Sequence, residues 1–183
     1  MIINKKCDYS KGGSLHYSNN INPPKKEIER LIELFQNNQY VYAKQLALSI
    51  TNRFPNHSFT WKLLGVVLKQ LGKINESLES FQKSIKLAPR DVESYHNLGI
   101  TLTEVGRFKE AVSSYETVIA LDPKCAEAHN NLGFTLKEMG KLEEAKSSYN
   151  QAIILSPNFA EAHCNLGFTL VEMNKLEEAV PIY

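Results

Sequence analysis

The feature that most constrains this chain is a repeat with a period of 34 residues. The stretch from Ala126 to Gly140 returns almost letter for letter from Ala160 to Asn174. A more divergent copy precedes both, from Val92 to Gly106. Self-similarity at a fixed period of this length is typical of an array of small structural units, each packed on its neighbours.

Prolines spaced by the same 34 residues mark the unit boundaries, at Pro55, Pro89, Pro123 and Pro157. Proline cannot continue a helix and moves the preceding residue away from the helical basin, so each marks the end of a unit. We count positions so that these prolines fall at position 32. The units are then 24–57, 58–91, 92–125, 126–159 and an incomplete 160–183. Residues 1–23 lack apolar periodicity and predict a flexible polar leader.

Each unit is predicted to be a helix, a tight turn and a second helix. Position 15 is always glycine or asparagine, the residues that tolerate the left-handed conformation closing a helix: Asn38, Gly72, Gly106, Gly140 and Asn174. A single helix pair cannot bury its apolar face alone, but stacked pairs share a continuous core. The fold class predicted is therefore an all-α solenoid of antiparallel helix pairs.

Glycines inside the first helices predict close packing within each unit. Position 8 holds Gly65, Gly99, Gly133 and Gly167. Glycine within a helix costs about 1 kcal/mol relative to alanine, so four in register indicate a contact that a Cβ would block. The small residues at position 20, such as Ser77 and Ala111, are the expected counterpart.

The arrangement of these positions resembles the tetratricopeptide repeat. One unit shows the full pattern in Trp61, Leu64, Gly65, Leu68, Ser77, Phe81 and Pro89. The first unit departs from it, with Arg30-Leu31 for Leu-Gly and Ala47 in the aromatic position, and is a degenerate repeat. The resemblance covers residues 24–183 and implies a right-handed superhelix whose first helices line a concave groove.

Three positions of the first helices are the candidate binding residues of this groove. Position 6 holds Asn97, Asn131 and Asn165, position 9 holds Ile100, Phe134 and Phe168, and position 13 holds Glu104, Glu138 and Glu172. Side-chain amides can pair with a peptide backbone in both directions, and the asparagines resemble the asparagine ladder of protein O-linked N-acetylglucosamine transferases. In the alternative interpretation, Asn-Leu-Gly is ordinary repeat consensus, the apolar residues are partly buried between helices, and the glutamates are solvated.

Other chemically suggestive residues are predicted to be structural. Glu93, Glu127 and Glu161 fall in first helical turns, where carboxylates complement the helix dipole. His129 and His163 occupy position 4, which is Trp61 and Tyr95 in sister units, so packing is favoured over metal binding. The three cysteines have no zinc-ligand spacing, and no catalytic set is recognisable. We expect a non-catalytic chain without cofactor or metal.

Composition excludes several partners and favours a cytoplasmic protein. The formal net charge is +1, which gives no general attraction for nucleic acid. No apolar run approaches the ~18 residues needed to span a membrane. The N-terminus lacks the apolar region of a secretory signal, and a few scattered cysteines suit a reducing compartment.

The sequence therefore predicts a scaffold that binds a protein partner, as an extended peptide or a helix, in the concave groove. The alternative is the N-terminal, substrate-presenting repeat region of a larger transferase, either a glycosyltransferase like the O-linked N-acetylglucosamine transferases or a sulfotransferase. The last unit is incomplete at Tyr183, which favours a piece of a longer protein. An uncapped C-terminal end would otherwise allow self-association.

Overall fold

The computed structural model describes residues 22–174 and confirms the all-α prediction. Every regular element in this range is a helix: α1 Lys25–Gln36, α2 Tyr40–Arg53, α3 Ser58–Gln70, α4 Ile74–Leu87, α5 Val92–Glu104, α6 Phe108–Leu121, α7 Ala126–Glu138, α8 Leu142–Leu155 and α9 Ala160–Glu172. Odd-numbered helices are the first helices of the units and even-numbered helices are the second. The predicted leader up to residue 21, and the last unit from residue 175, lie outside the described residues.

The turn inside each unit is closed by the residue at position 15, as predicted. Its φ angle is positive in all five units, from 57° at Asn38 to 75° at Gly140. In the first four units, the next residue donates its backbone N–H to a carbonyl five residues earlier, as Lys73 does to Leu68 at 2.9 Å. This hydrogen bond satisfies a carbonyl that the helix end would otherwise leave unpaired.

The prolines at position 32 follow each described second helix, and some of them also accept a hydrogen bond from position 4 of the next unit. The indole Nε1 of Trp61 donates to the carbonyl oxygen of Pro55 at 2.8 Å. The imidazole Nε2 of His163 lies 2.9 Å from the carbonyl oxygen of Pro157. Tryptophan and histidine can both occupy this position because each has a ring N–H that can donate to the proline carbonyl.

Three of the helix glycines, Gly65, Gly99 and Gly133, pack against aromatic rings of the second helix. A Cβ at Gly65 would lie 2.7 Å from the ring of Phe81, and one at Gly133 would lie 2.8 Å from the ring of Tyr149. The predicted close approach is present, but the nearest atoms belong to position 24 and not to position 20. Position 20 still participates in one unit, where Ser77 Oγ donates to the carbonyl oxygen of Gly65 at 2.8 Å.

The first unit fills the same space with its residue sizes exchanged. Where the other units pair glycine with an aromatic ring, this unit has Leu31 and Ala47. Both are fully buried in one apolar cluster. A large residue on the first helix and a small one on the second fill about the same volume between the helices. The unit therefore departs from the sequence pattern but has the same fold.

The stacking places the first helices on the inner side of the array. Each described first helix approaches the next first helix, as α5 approaches α7 and α7 approaches α9. Among the described residues, successive second helices make no comparable contact. A stack that is tight on one side and open on the other curves towards its tight side, so α3, α5, α7 and α9 line the concave surface.

Candidate functional site

The apolar residues at position 9 become more exposed along the array. Val66 and Ile100 are half-buried against a core cluster. Phe134 is 39% exposed and Phe168 is 61% exposed. Large aromatic side chains at this level of exposure, on the inner side of the array, are candidates for contact with a partner.

The asparagines at position 6 are half-buried, and two of them connect adjacent repeats. Asn131 Nδ2 lies 3.0 Å from Nε2 of His96. Asn165 Nδ2 donates to Oδ1 of Asn130 at 3.0 Å. The amide nitrogens of Asn131 and Asn165 therefore each use one N–H on the neighbouring unit. Within the described part of the chain, the Asn97 side chain makes no hydrogen bond.

Position 5 supplies these connections, although its residues share no chemistry along the sequence. Lys62 Nζ, on a side chain that is 8% exposed, lies 3.2 Å from Asp91 Oδ1 and 2.5 Å from Glu93 Oε2. Asn130 Nδ2 donates to Glu161 Oε1 at 3.0 Å. Three position 5 residues, Lys62, His96 and Asn130, thus contact position 2 or position 6 of the next unit. Comparing position 5 with the following unit, and not with its own equivalents, would have found this signal.

The imidazole of His96 accepts the hydrogen bond from Asn131, because an amide nitrogen can only donate. His96 is therefore neutral at Nε2. Burial lowers the pKa of His96 below the usual histidine value, and the nearby carboxylates of Glu127 and Glu93 oppose that shift. The contact between the third and fourth units therefore depends on a neutral imidazole.

The glutamates at position 13 differ in their surroundings. Glu104 Oε1 lies 2.7 Å from Nζ of Lys69, one unit earlier. Glu138 Oε1 lies 3.7 Å from Nζ of its neighbour Lys137. Glu172 is exposed. The described groove is acidic towards its C-terminal side, since α5 and α9 each carry two glutamates and no lysine or arginine, whereas α3 carries two lysines and no carboxylate.

A cleft of about 220 Å³ opens between α5 and α7 on the inner side, and we call it the α5–α7 cleft. It is lined by Ile100, Thr103, Glu104, Tyr115, Asn131, Phe134 and Glu161. Four of the nine predicted site residues meet here, one or two from each predicted position. The other five, Asn97, Asn165, Phe168, Glu138 and Glu172, lie elsewhere on the first helices. The sequence analysis had given Glu161 a helix-dipole role and had not named Tyr115 as a site residue.

A hydroxyl group at the base of the α5–α7 cleft is only weakly held. Tyr115 is 1% exposed, and its hydroxyl lies 3.5 Å from Thr103 Oγ1. Thr103 makes a closer contact with Thr135 Oγ1, at 3.0 Å. Burial is the main cause that raises the pKa of Tyr115 to about 12. The phenol therefore stays protonated at neutral pH and retains hydrogen-bonding capacity towards the cleft.

Two further classes of site are absent from residues 22–174. No three histidine, cysteine, aspartate or glutamate side chains are gathered there into a group that could hold a metal ion. None of the described helices combines the length and the apolar character required to cross a bilayer.

Stacked antiparallel helix pairs, a 34-residue period and a groove lined by first helices define a helical-repeat protein of the solenoid class. The sequence pattern of the TPR repeat matches residues 65–106, 101–140 and 135–174. The chain belongs to the TPR repeat family, and this membership supports a role as a protein–protein interaction scaffold.

Solved structures with the same fold include several of MamA. The crystal structure of MamA is 24% identical over 82% of this chain and 88% of that chain, with a TM-score of 0.78. MamA 41-end from Desulfovibrio magneticus RS-1 is 22% identical over 86% of this chain and 89% of that chain, with a TM-score of 0.81. At these identities the likeness concerns the fold alone. No curated protein matches the sequence.

Proposed function

We propose that this chain is an interaction scaffold that binds an extended peptide segment of a protein partner along its concave groove. The observation that carries the proposal is the α5–α7 cleft, which is about 220 Å³ in volume. That size suits one or two side chains and not a folded domain. Apolar walls combined with a few polar groups are typical of ligand-binding clefts.

The exposed rings of Phe134 and Phe168 extend the apolar surface beyond the cleft. They lie one repeat apart on α7 and α9. A peptide with two apolar side chains could cover both rings while its backbone follows the groove. Aromatic residues in such positions often carry much of an interface's binding energy.

An extended peptide is favoured over a substrate-presenting role in a transferase. The transferase alternative depends on asparagines that grip a peptide backbone. The amide nitrogens of Asn131 and Asn165 each make one bond within the array, and Asn131 Oδ1 accepts from Asn130 Nδ2 at 3.4 Å, which reduces what these amides can offer to a peptide backbone. The cleft and the phenylalanines provide a contact surface that needs no catalytic domain.

Phe134 and Phe168 are the residues to test first. Replacing both with alanine should weaken binding of a selected peptide by about tenfold or more, with little change in melting temperature, because both rings are partly exposed. Peptides would be selected from a random library with the whole chain as bait and then titrated by calorimetry. Ile154→Ala is the matched control, since Ile154 is 71% exposed on the second helix α8.

Equal affinity of the double variant and the parent would contradict the groove as the binding surface. Enrichment only of peptides that adopt a helix in solution would instead favour a partner helix in the same groove. Circular dichroism of the bound peptide separates these two outcomes.

A further inference from the structure

We propose that the α5–α7 cleft receives a lysine or arginine side chain of the bound peptide. The inference rests on the proposed function and specifies what kind of segment the groove selects. It combines the charge of the cleft walls, the weakly held hydroxyl of Tyr115 and a comparison with the preceding repeat.

The charged groups that line the cleft are carboxylates. Glu104 and Glu161 contribute to its walls, and its lining contains no lysine, arginine or histidine. Glu104 uses Oε1 for Lys69, and Glu161 uses Oε1 for Asn130. Each carboxylate therefore keeps an oxygen for a further donor. An arginine guanidinium has five N–H donors in a planar fork, and a lysine ammonium has three.

The hydroxyl of Tyr115 gives a second, independent indication of a ligand. Its side chain is 1% exposed, yet its hydroxyl has only the 3.5 Å contact with Thr103. Buried hydroxyl groups normally have a closer partner. A donor group entering the cleft would supply that partner, because the phenol oxygen can accept a hydrogen bond.

The remaining walls suit the aliphatic stem of a basic side chain. Ile100 provides an apolar surface, and the ring of Phe134 is 39% exposed. Long basic side chains lay their methylene groups along apolar surfaces and keep the charge at a polar tip. Aromatic ring faces also attract cations, and Lys137 Nζ already lies 5.8 Å from the Phe134 ring centre.

The preceding repeat lacks most of these features at the equivalent positions. Thr103, Glu104 and Tyr115 correspond there to Lys69, Gln70 and Phe81. That register therefore has a cation in place of a hydroxyl, an amide in place of a carboxylate, and a ring without a hydroxyl group. The following repeat keeps Glu138 and Tyr149 but has Lys137 at the position of Thr103. Because both neighbouring repeats carry a lysine at that position, the basic side chain is expected in the register of Thr103, which fixes where the peptide lies.

The test uses a random peptide library, with the whole chain as bait. We expect the selected peptides to share a lysine or arginine at one fixed position, next to apolar residues. In the best peptide, arginine is replaced with citrulline or lysine with norleucine, which removes the charge. Titration calorimetry should then show affinity reduced at least tenfold.

A pair of protein variants localises the effect. Glu104→Gln combined with Glu161→Gln removes both charges but keeps oxygen acceptors for Lys69 and Asn130. This double variant should bind the parent peptide at least tenfold more weakly than the unsubstituted protein does, and its affinity for the uncharged peptide should change little. The matched control, Glu79→Gln with Glu116→Gln, removes the same charge from exposed positions on the second helices α4 and α6 and should bind like the parent.

The two proposals fail in different ways. If no peptide is enriched, or if binding is insensitive to Phe134→Ala, the groove is not the binding surface and the inference falls with it. If binding depends on Phe134 but selected peptides have no fixed basic residue, only the inference is overturned. The inference is also overturned if neutralising the basic residue of the peptide leaves affinity unchanged. This measurement uses the parent protein, so it does not depend on whether the double glutamine variant folds.

Discussion

At the scale of single residues, one methyl group is enough to disturb a helix pair. Gly133 packs where a Cβ would lie 2.8 Å from the ring of Tyr149. Real Cβ atoms do not approach a ring so closely, and Tyr149 is fully buried, so the ring has little room to move. The glycines at position 8 are therefore required by sterics, despite their low helix propensity.

We predict that Gly133→Ala lowers the free energy of unfolding by about 1–2 kcal/mol. Overpacking typically costs 1–3 kcal/mol, and the better helix propensity of alanine returns up to about 1 kcal/mol. Urea unfolding followed by circular dichroism measures the change. In a Tyr149→Leu background, the same substitution should be neutral or stabilising. A gain in stability in the parent chain would contradict the packing described.

Partly buried histidines make stability depend on pH. Burial lowers the pKa of His57, His96 and His129 below the ordinary value. As pH falls through about 6.5, the unfolded chain takes up protons before the folded chain does. The unfolded state then binds more protons, and stability decreases as pH falls. Above that range the stabilising effect of the neutral imidazoles is complete.

We predict that the free energy of unfolding falls between pH 7.5 and pH 5.5, and that His96→Gln makes the fall smaller. Glutamine does not titrate, yet its oxygen can accept the hydrogen bond from Asn131. Urea titrations at both pH values measure the difference for each protein. An equal fall in the two proteins would mean that His96 does not contribute.

At the scale of helix pairs, the first unit shows that two arrangements of side chains build the same packing. Leu31 and Ala47 replace the glycine and the aromatic residue of the other units, and both are fully buried. The first helix carries the large residue here, and the second helix carries it elsewhere. The repeat therefore conserves the volume between its helices more strictly than the residue that fills it.

We predict that this exchange can be transferred to the second unit. Gly65→Leu alone overpacks the contact with Phe81, and Phe81→Ala alone leaves a cavity, with expected costs of about 1–3 and 3–5 kcal/mol. The free energy of unfolding lost by the double variant should be smaller, by at least about 1 kcal/mol, than the sum of the losses of the two single variants. Thermal and urea unfolding of the four proteins gives the coupling. Simple additivity would mean that the two sites do not share one space.

The sequence was sufficient for the period, the helix pairs and their turns, because these follow from local rules about proline, glycine and asparagine. It also placed Ile100, Glu104, Asn131 and Phe134 on the surface that forms the cleft. It could not assign Tyr115 to that cleft, because position 24 looks like pure core when one unit is considered alone. The sequence also did not predict the pairing of Lys62 with Glu93 or of Asn130 with Glu161, because each contact depends on the rotation between neighbouring units.

At the scale of the whole molecule, contacts run only between near neighbours. Within residues 22–174, helices contact the next helix along the chain, and first helices contact the next first helix. No described pair further apart in the chain is in contact. Stability in such an array is close to a sum of unit terms and nearest-neighbour terms, and a local defect spreads over a short distance.

We therefore predict that Gly65→Ala, which disturbs the pair α3 and α4, increases amide hydrogen exchange mainly in α2 to α5. The protection of α7 and α8 should change little, because one complete helix pair, α5 and α6, separates them from the altered contact. Native-state exchange followed by mass spectrometry resolves these helices. Gly133→Ala is the reciprocal experiment and should affect α6 to α9 while leaving α2 and α3 protected. A uniform loss of protection across the described helices, for either variant, would show a single cooperative unit instead of a linear array.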